Sequence, residues 1–281
     1  MIAPGIVLGI GSAASFGAGD FLGGMATRRA RGILVAGGSQ LVGALALLVL
    51  LAVVRPALPD ASALWIGAAA GTLGGIGVAA LYRALSMGSM GLVAGVSGIG
   101  SVLVPLGFDV FVARAPIGPW QVVGVLCAGA AGLAAGGAVR QGVSGRAVGL
   151  AVLAAIAFGG WYVLLDLGAQ QGPIWALVGS RWSASALMAI LVLISARGTV
   201  GPSVARTWPL ILCSGLLDVG GNGLFVVSSA QISVGLAAAL SGIYPLGTML
   251  LARIVLRESL PPLGMLAVAL ALAGVVLISL G

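Results

Sequence analysis

The sequence predicts an all-α polytopic membrane protein of ten transmembrane helices, arranged as two inverted five-helix repeats. Three observations carry that expectation. Of 281 residues, 60% are hydrophobic and 7% charged, with mean hydropathy +1.21; soluble domains carry about 25% charged residues, and no soluble fold of this length hides so much apolar surface. Apolar runs long enough to cross a bilayer follow one another with short breaks of Arg, Pro and Gly. Finally, Gly91-Leu92 followed by Ser97-Gly98-Ile99 recurs 144 residues later as Gly235-Leu236 followed by Ser241-Gly242-Ile243.

In chain order the expected spans are 4–25, 32–54, 61–86, 90–113 and 117–139, then 147–168, 173–196, 207–230, 234–256 and 261–280. The first run lacks a basic leader and a cleavage site, so it reads as a retained span. Trp65, Trp120 and Trp208 near span ends read as an interfacial belt. The longest polar break, Arg140 to Arg146, divides a first repeat, 1–139, from a second, 147–281, with 140–146 as linker. Ser15-Phe16-Gly17 answers Ala157-Phe158-Gly159, and Gly38-Ser39-Gln40 answers Gly179-Ser180-Arg181. Each copy of the fourth-span motif also leads to a charged helix end, Arg114 or Arg257-Glu258. An odd number of spans per copy inverts the second half, the architecture of carriers that hold substrate near the midplane. Most of the 48 glycines read as close-packing positions, as in the run from Gly71 to Gly77.

Charge and cysteine usage exclude several classes. The net charge of +7 comes from 13 arginines against six acids, with no lysine and no histidine. The arginines fall mostly between apolar runs, and no basic stripe with interleaved aromatics marks a nucleic-acid surface. Without histidine there is no Ser-His-Asp arrangement, imidazole base or His metal ligand. Neither an HExxH motif nor a Walker loop is present, so the chain is not expected to be an enzyme or to hold a cofactor or metal. Cys127 and Cys213, both inside apolar runs, read as packing residues.

Chemistry is expected where polar groups interrupt these runs, because a charge at bilayer depth costs at least ~2.5 kcal/mol and usually faces a cavity or a partner. Asp218 lies near the middle of 207–230, with three glycines and Asn222 close behind it. It reads as a substrate or proton site, or as half of a structural ion pair. Asp20 shares a helical face with Ser12, Phe16 and Gly23; it either binds a cation or proton or holds Arg28 or Arg29. Tyr82 and Arg83 close the third span, and Arg83 is expected in the cavity. Arg181, always charged, is expected to pair with Asp166 across the short loop between the sixth and seventh spans. Trp161, Tyr162 and Tyr244 are further candidate lining residues, and Ser97, Ser101 and Ser241 could supply hydroxyls. Tyr244-Pro245 is expected to interrupt the ninth span and free backbone carbonyls there. The cavity is expected among the first, third, fourth, sixth, eighth and ninth spans.

The chain resembles the EamA-type permeases of the drug/metabolite transporter superfamily over essentially its whole length. The residues carrying the resemblance are Ser15 to Phe21, Tyr82-Arg-Ala-Leu85, Leu92 to Pro105, Gly179-Ser-Arg181, Leu236 to Pro245, Arg257-Glu-Ser-Leu260 and Gly264. Arg114 stands where the family often has glutamate, and Gln40 where it often has arginine. The resemblance implies ten helices in two repeats and movement of amino acids, sugars, nucleotide precursors or other metabolites. The expectation is therefore a secondary carrier for a small polar or charged metabolite in the inner membrane, driven by protons or exchange. A channel or a non-transporting assembly component is the alternative, and the chain is expected as a monomer or homodimer. Nine loop arginines on one face against Arg55 and Arg114 on the other put both termini outside by the positive-inside rule; the resemblance implies cytoplasmic termini.

Overall fold

The computed structural model describes residues 2–57, 61–88, 90–114, 118–120, 122–124, 126–127, 130, 144–195, 202–257 and 262–279. Those residues are helical, with no strand among them. The helices with bounds are α1 (Ile2–Thr27), α2 (Gly32–Val54), α3 (Ala61–Leu85), α4 (Met90–Phe111) and α5 (Gly145–Ala169). They continue with α6 (Pro173–Ser195), α7 (Pro202–Ser229), α8 (Val234–Ser241), α9 (Tyr244–Val255) and α10 (Pro262–Ser279). Most of the expected fifth span and most of the linker lie outside the described residues. Among the described residues, seven helices, α1 to α7, are long and apolar enough to cross a membrane.

Local chemistry explains where these helices begin and end. Ser144 caps α5, its Oγ accepting from the Ala147 N–H at 3.3 Å, and Ser233 caps α8 by accepting from Leu236 N at 3.2 Å. Pro173 opens α6, where a missing N–H costs nothing. Arg55, Arg114 and Arg257 adopt left-handed backbone, φ 47°, 56° and 54°, where chains leave α2, α4 and α9. The expected ninth span is split into α8 and α9, and the break falls at Gly242-Ile243 rather than at Tyr244-Pro245. The reason is that Pro245, in the first turn of α9, has no N–H to return to Ser241; the ladder is lost upstream of the ring, not at it.

The strongest packing runs between the two halves rather than within them. Helix α3 lies against α5 and α6, and α7 lies against α1 and α2; α4 packs on α5, while α1 packs on α8 and α9. Small residues make these approaches possible. Gly67 and Gly71 of α3 sit directly against the Ala176 and Ser180 backbone of α6, and Gly215 of α7 sits against the Ser39 carbonyl of α2. The Phe16 ring covers Gly221, where an added Cβ would come within 2.7 Å of it, and the Phe158 ring covers Gly77, where the same atom would come within 2.6 Å. Hydroxyls stitch helix to helix: Ser12 donates to the Gly221 carbonyl (2.9 Å), Ser183 to Ala68 (2.7 Å) and Thr248 to Gly17 (3.0 Å).

Several apolar clusters result among the described residues, two of them large. One holds Phe21, Leu81, Tyr82, Leu92, Met188 and Ile211; the other holds Trp161, Tyr162, Leu165, Leu177 and Phe225. Outward-facing positions are also apolar, among them Val49, Leu193 and Phe111, as a lipid solvent requires. Trp65, Trp120 and Trp208 are exposed, in keeping with an interfacial belt. Cys127 is partly buried, but Cys213 is exposed on α7 and so is not the packing residue expected of it.

Candidate functional site

A partly open cavity lies between the halves, with about 650 Å³ of atom-free space in it and at its mouth. Ligand sites are typically about 300–1,000 Å³. It is lined by Phe16 and Asp20 of α1, Gln40 of α2, and Gly71, Gly74, Val78 and Tyr82 of α3. Ser101 of α4, Phe158, Trp161 and Tyr162 of α5, and Ser180, Arg181 and Ala184 of α6 continue the wall, which Asp218, Asn222 and Tyr244 complete. The expected cavity omitted the second and seventh spans, and both contribute. Gln40 enters from α2 through its amide oxygen, which accepts from Arg181 of α6.

The polar centre is built around Arg181, which is 4% exposed. Its Nη1 donates to Asp218 Oδ2 at 2.6 Å and to Gln40 Oε1 at 2.6 Å. With its amide oriented to satisfy both neighbours, Asn222 accepts from Arg181 Nη2 through Oδ1 and donates to the Asp218 carbonyl at 3.0 Å. The four-residue spacing on α7 puts Asp218 and Asn222 on one face, and the guanidinium joins them to α2 and α6. The expected Arg181–Asp166 pair is therefore corrected. Asp166 accepts instead from Gln170 Nε2 at 2.9 Å, one turn along its own helix, which leaves it engaged at the α5 end while Asp218 faces Arg181 at depth.

Asp20 differs from Asp218: it lines the same cavity with neither a hydrogen bond nor an ion pair among the described residues. The alternative in which it holds Arg28 or Arg29 is not what the structure contains. Gly23, one turn on, lies against the Tyr82 hydroxyl, which in turn meets Ser214 Oγ at 2.8 Å.

The aromatic wall is held from behind. Trp161 Nε1 donates to Ser180 Oγ at 3.0 Å. Ser97 Oγ lies 3.0 Å from the Ala94 carbonyl and shares a 2.6 Å hydrogen bond with the Tyr244 hydroxyl, in which either group can donate. Phe16 stands edge-on to Trp161 and Tyr244, with ring centroids 6.4 and 6.5 Å apart, and Trp161 meets Tyr162 at 4.9 Å.

Of the residues singled out in the sequence, Asp218, Asn222, Asp20, Tyr82, Tyr244, Trp161, Tyr162 and Arg181 thus converge on one cavity. Three do not. Arg83 is exposed at the end of α3 and does not line the cavity; its neighbour Tyr82 takes the inward face, and adjacent helical residues point about 100° apart. Ser97 is buried behind Tyr244, and the Ser241 hydroxyl is buried without a partner among the described residues. Ser101, expected to supply a hydroxyl, does line the cavity, and Gln40, Phe16 and Phe158 line it without having been ranked as site residues. A polar amide in the middle of the 32–54 run was the signal for Gln40.

Residues 145–280 match the EamA-like transporter family. No curated protein matches the sequence. A solved crystal structure, described only as that of a protein, superimposes with a TM-score of 0.70 at 17% identity, covering 100% of this chain and 98% of the other. At that identity the likeness concerns the fold alone.

Proposed function

We propose that this multi-pass membrane protein, whose residues 145–280 match the EamA-like transporter family, is a secondary carrier working by alternating access. It moves a small polar or charged metabolite across the inner membrane without enzymatic chemistry, driven by exchange or by protons. The observation that carries the reading is the cavity between the halves, with an ion pair, Arg181–Asp218, and a carboxylate, Asp20, that has no partner among the described residues, in a lipid-solvated bundle. Ionisable groups at that depth mark pathways for ions or substrates.

The inverted repeat, with ten spans in two halves of 1–139 and 147–281, draws support from contacts that recur across the halves. Phe16 on Gly221 is answered by Phe158 on Gly77, and Gly215 against Ser39 by Gly71 against Ser180. Arg114 and Arg257 end their helices in the same left-handed backbone. Gln40 and Arg181 hold corresponding places in Gly38-Ser39-Gln40 and Gly179-Ser180-Arg181, and they bond to each other. A two-fold axis would bring equivalent residues together in this way. Two arginines there would put like charges within bonding distance, a repulsion that the neutral Gln40 avoids.

The test uses the full chain reconstituted in vesicles, with Cys127 and Cys213 replaced by alanine and Ala184→Cys placed in the cavity. A carrier labels Cys at this position from one side at a time and shows saturable counterflow from a mixed metabolite pool; a pore labels from both sides at once and never saturates. Asp218→Asn is expected to abolish counterflow while folded protein remains in the membrane. Unchanged flux removes Asp218 from the mechanism.

A further inference from the structure

We infer that the cavity selects cations: its substrate carries a protonated amine on an apolar or aromatic body, with Asp20 as the counter-ion. This rests on the carrier reading and deepens it by naming the substrate class.

Three ionisable side chains line the cavity: Asp20, Asp218 and Arg181. The guanidinium is already engaged by Asp218, Gln40 and Asn222. An anionic substrate would have to displace Asp218 and leave that carboxylate unpaired in a poorly polarisable site. Asp20 has no such partner among the described residues. Once Asp20 gives up its proton, two carboxylates stand against one guanidinium, and the single negative charge left over holds a cation and repels an anion.

The lining agrees with the charge. All three tyrosines of the chain lie there, with Trp161, Phe16 and Phe158. Phe16 is one helical turn from Asp20 and meets Trp161 and Tyr244 edge-on, so a group bound at Asp20 has rings around it. Aromatic faces attract ammonium groups. Two of the donors an anion could use are spent within the protein, Trp161 on Ser180 and Ser101 on the Gly98 carbonyl.

Calorimetric titration of the purified full chain in detergent tests the inference with three probes sharing one body: phenethylammonium, 3-phenylpropionate and 2-phenylethanol. The amine is expected to bind roughly tenfold or more tighter than either of the others. Asp20→Asn should weaken amine binding by at least about tenfold while binding of 2-phenylethanol, which also reports a folded cavity, stays the same. Asp20→Glu should retain amine binding. Preference for the carboxylate, amine affinity indifferent to Asp20→Asn, or no saturable amine binding overturns the inference. One-sided labelling of Ala184→Cys does not depend on ligand charge. If it persists when cation preference fails, the carrier reading stands and this inference alone falls.

Discussion

A guanidinium stays charged at any depth, so Arg181 has to be neutralised by whatever carboxylate can reach it, and here that is Asp218 on another helix, 37 positions away. The pair is uneven, Arg181 being 4% and Asp218 27% exposed. Removing one member of a buried pair costs about 3–5 kcal/mol because the other is stranded, and cavity water softens that for the more exposed member. Asp218→Leu is therefore expected to lower the thermal unfolding midpoint in detergent more than Arg181→Met. The double variant should be more stable than Asp218→Leu alone. Strictly additive losses would show that the two side chains do not depend on each other. That Asp218 mattered was legible from a carboxylate in an apolar run. Its partner was not: Asp166 is nearer to Arg181 along the chain, but pairing follows which helix faces come together. Arg83 shows the same limit, since one residue of helical rotation separates the inward Tyr82 from an exposed arginine.

Helix α3 owes its central place to glycine. At Gly71 a methyl group would overlap the Ser180 carbonyl, and backbone cannot step aside as a flexible side chain can. At Gly107 of α4 nothing lies within 4 Å of the same position. Gly71→Ala is accordingly expected to cut the yield of folded protein severely, by fluorescence-detected size exclusion, and Gly107→Ala to leave it near the parent level. Equal behaviour of the two would contradict the close α3–α6 approach. Span positions were legible because apolar length and Arg, Pro and Gly punctuation act locally: 61–86 corresponds to Ala61–Leu85 and 173–196 to Pro173–Ser195. The ninth span was read as interrupted, yet its break sits upstream at Gly242, where an added Cβ would collide with Val102 of α4.

Across the whole molecule the apolar exterior is as informative as the interior. Leu45, in the middle of α2, is 52% exposed, which in a bilayer means contact with lipid tails. Leu45→Asp is expected to reduce the membrane-inserted fraction, since a central carboxylate costs about 2.5–3.5 kcal/mol on insertion scales, whereas Leu45→Ala should do little. Insertion of Leu45→Asp at the parent level would mean that this face is covered by protein rather than lipid.

Composition and the spacing of apolar runs, by themselves, determined that this chain is a helical membrane protein, where most of its spans lie, and that Asp218, Asp20 and the scattered aromatics stand out. These properties are local: each run must satisfy its own backbone hydrogen bonds and match the bilayer thickness. Only the tertiary structure decided that Arg181 answers Asp218, that Gln40 completes the cluster, that Asp20 is left without a partner, and that the tyrosines share one wall. Those outcomes depend on helix rotation and on crossings set by glycine contacts between residues far apart in the chain, and no periodicity within a single helix encodes the angle at which its neighbour arrives.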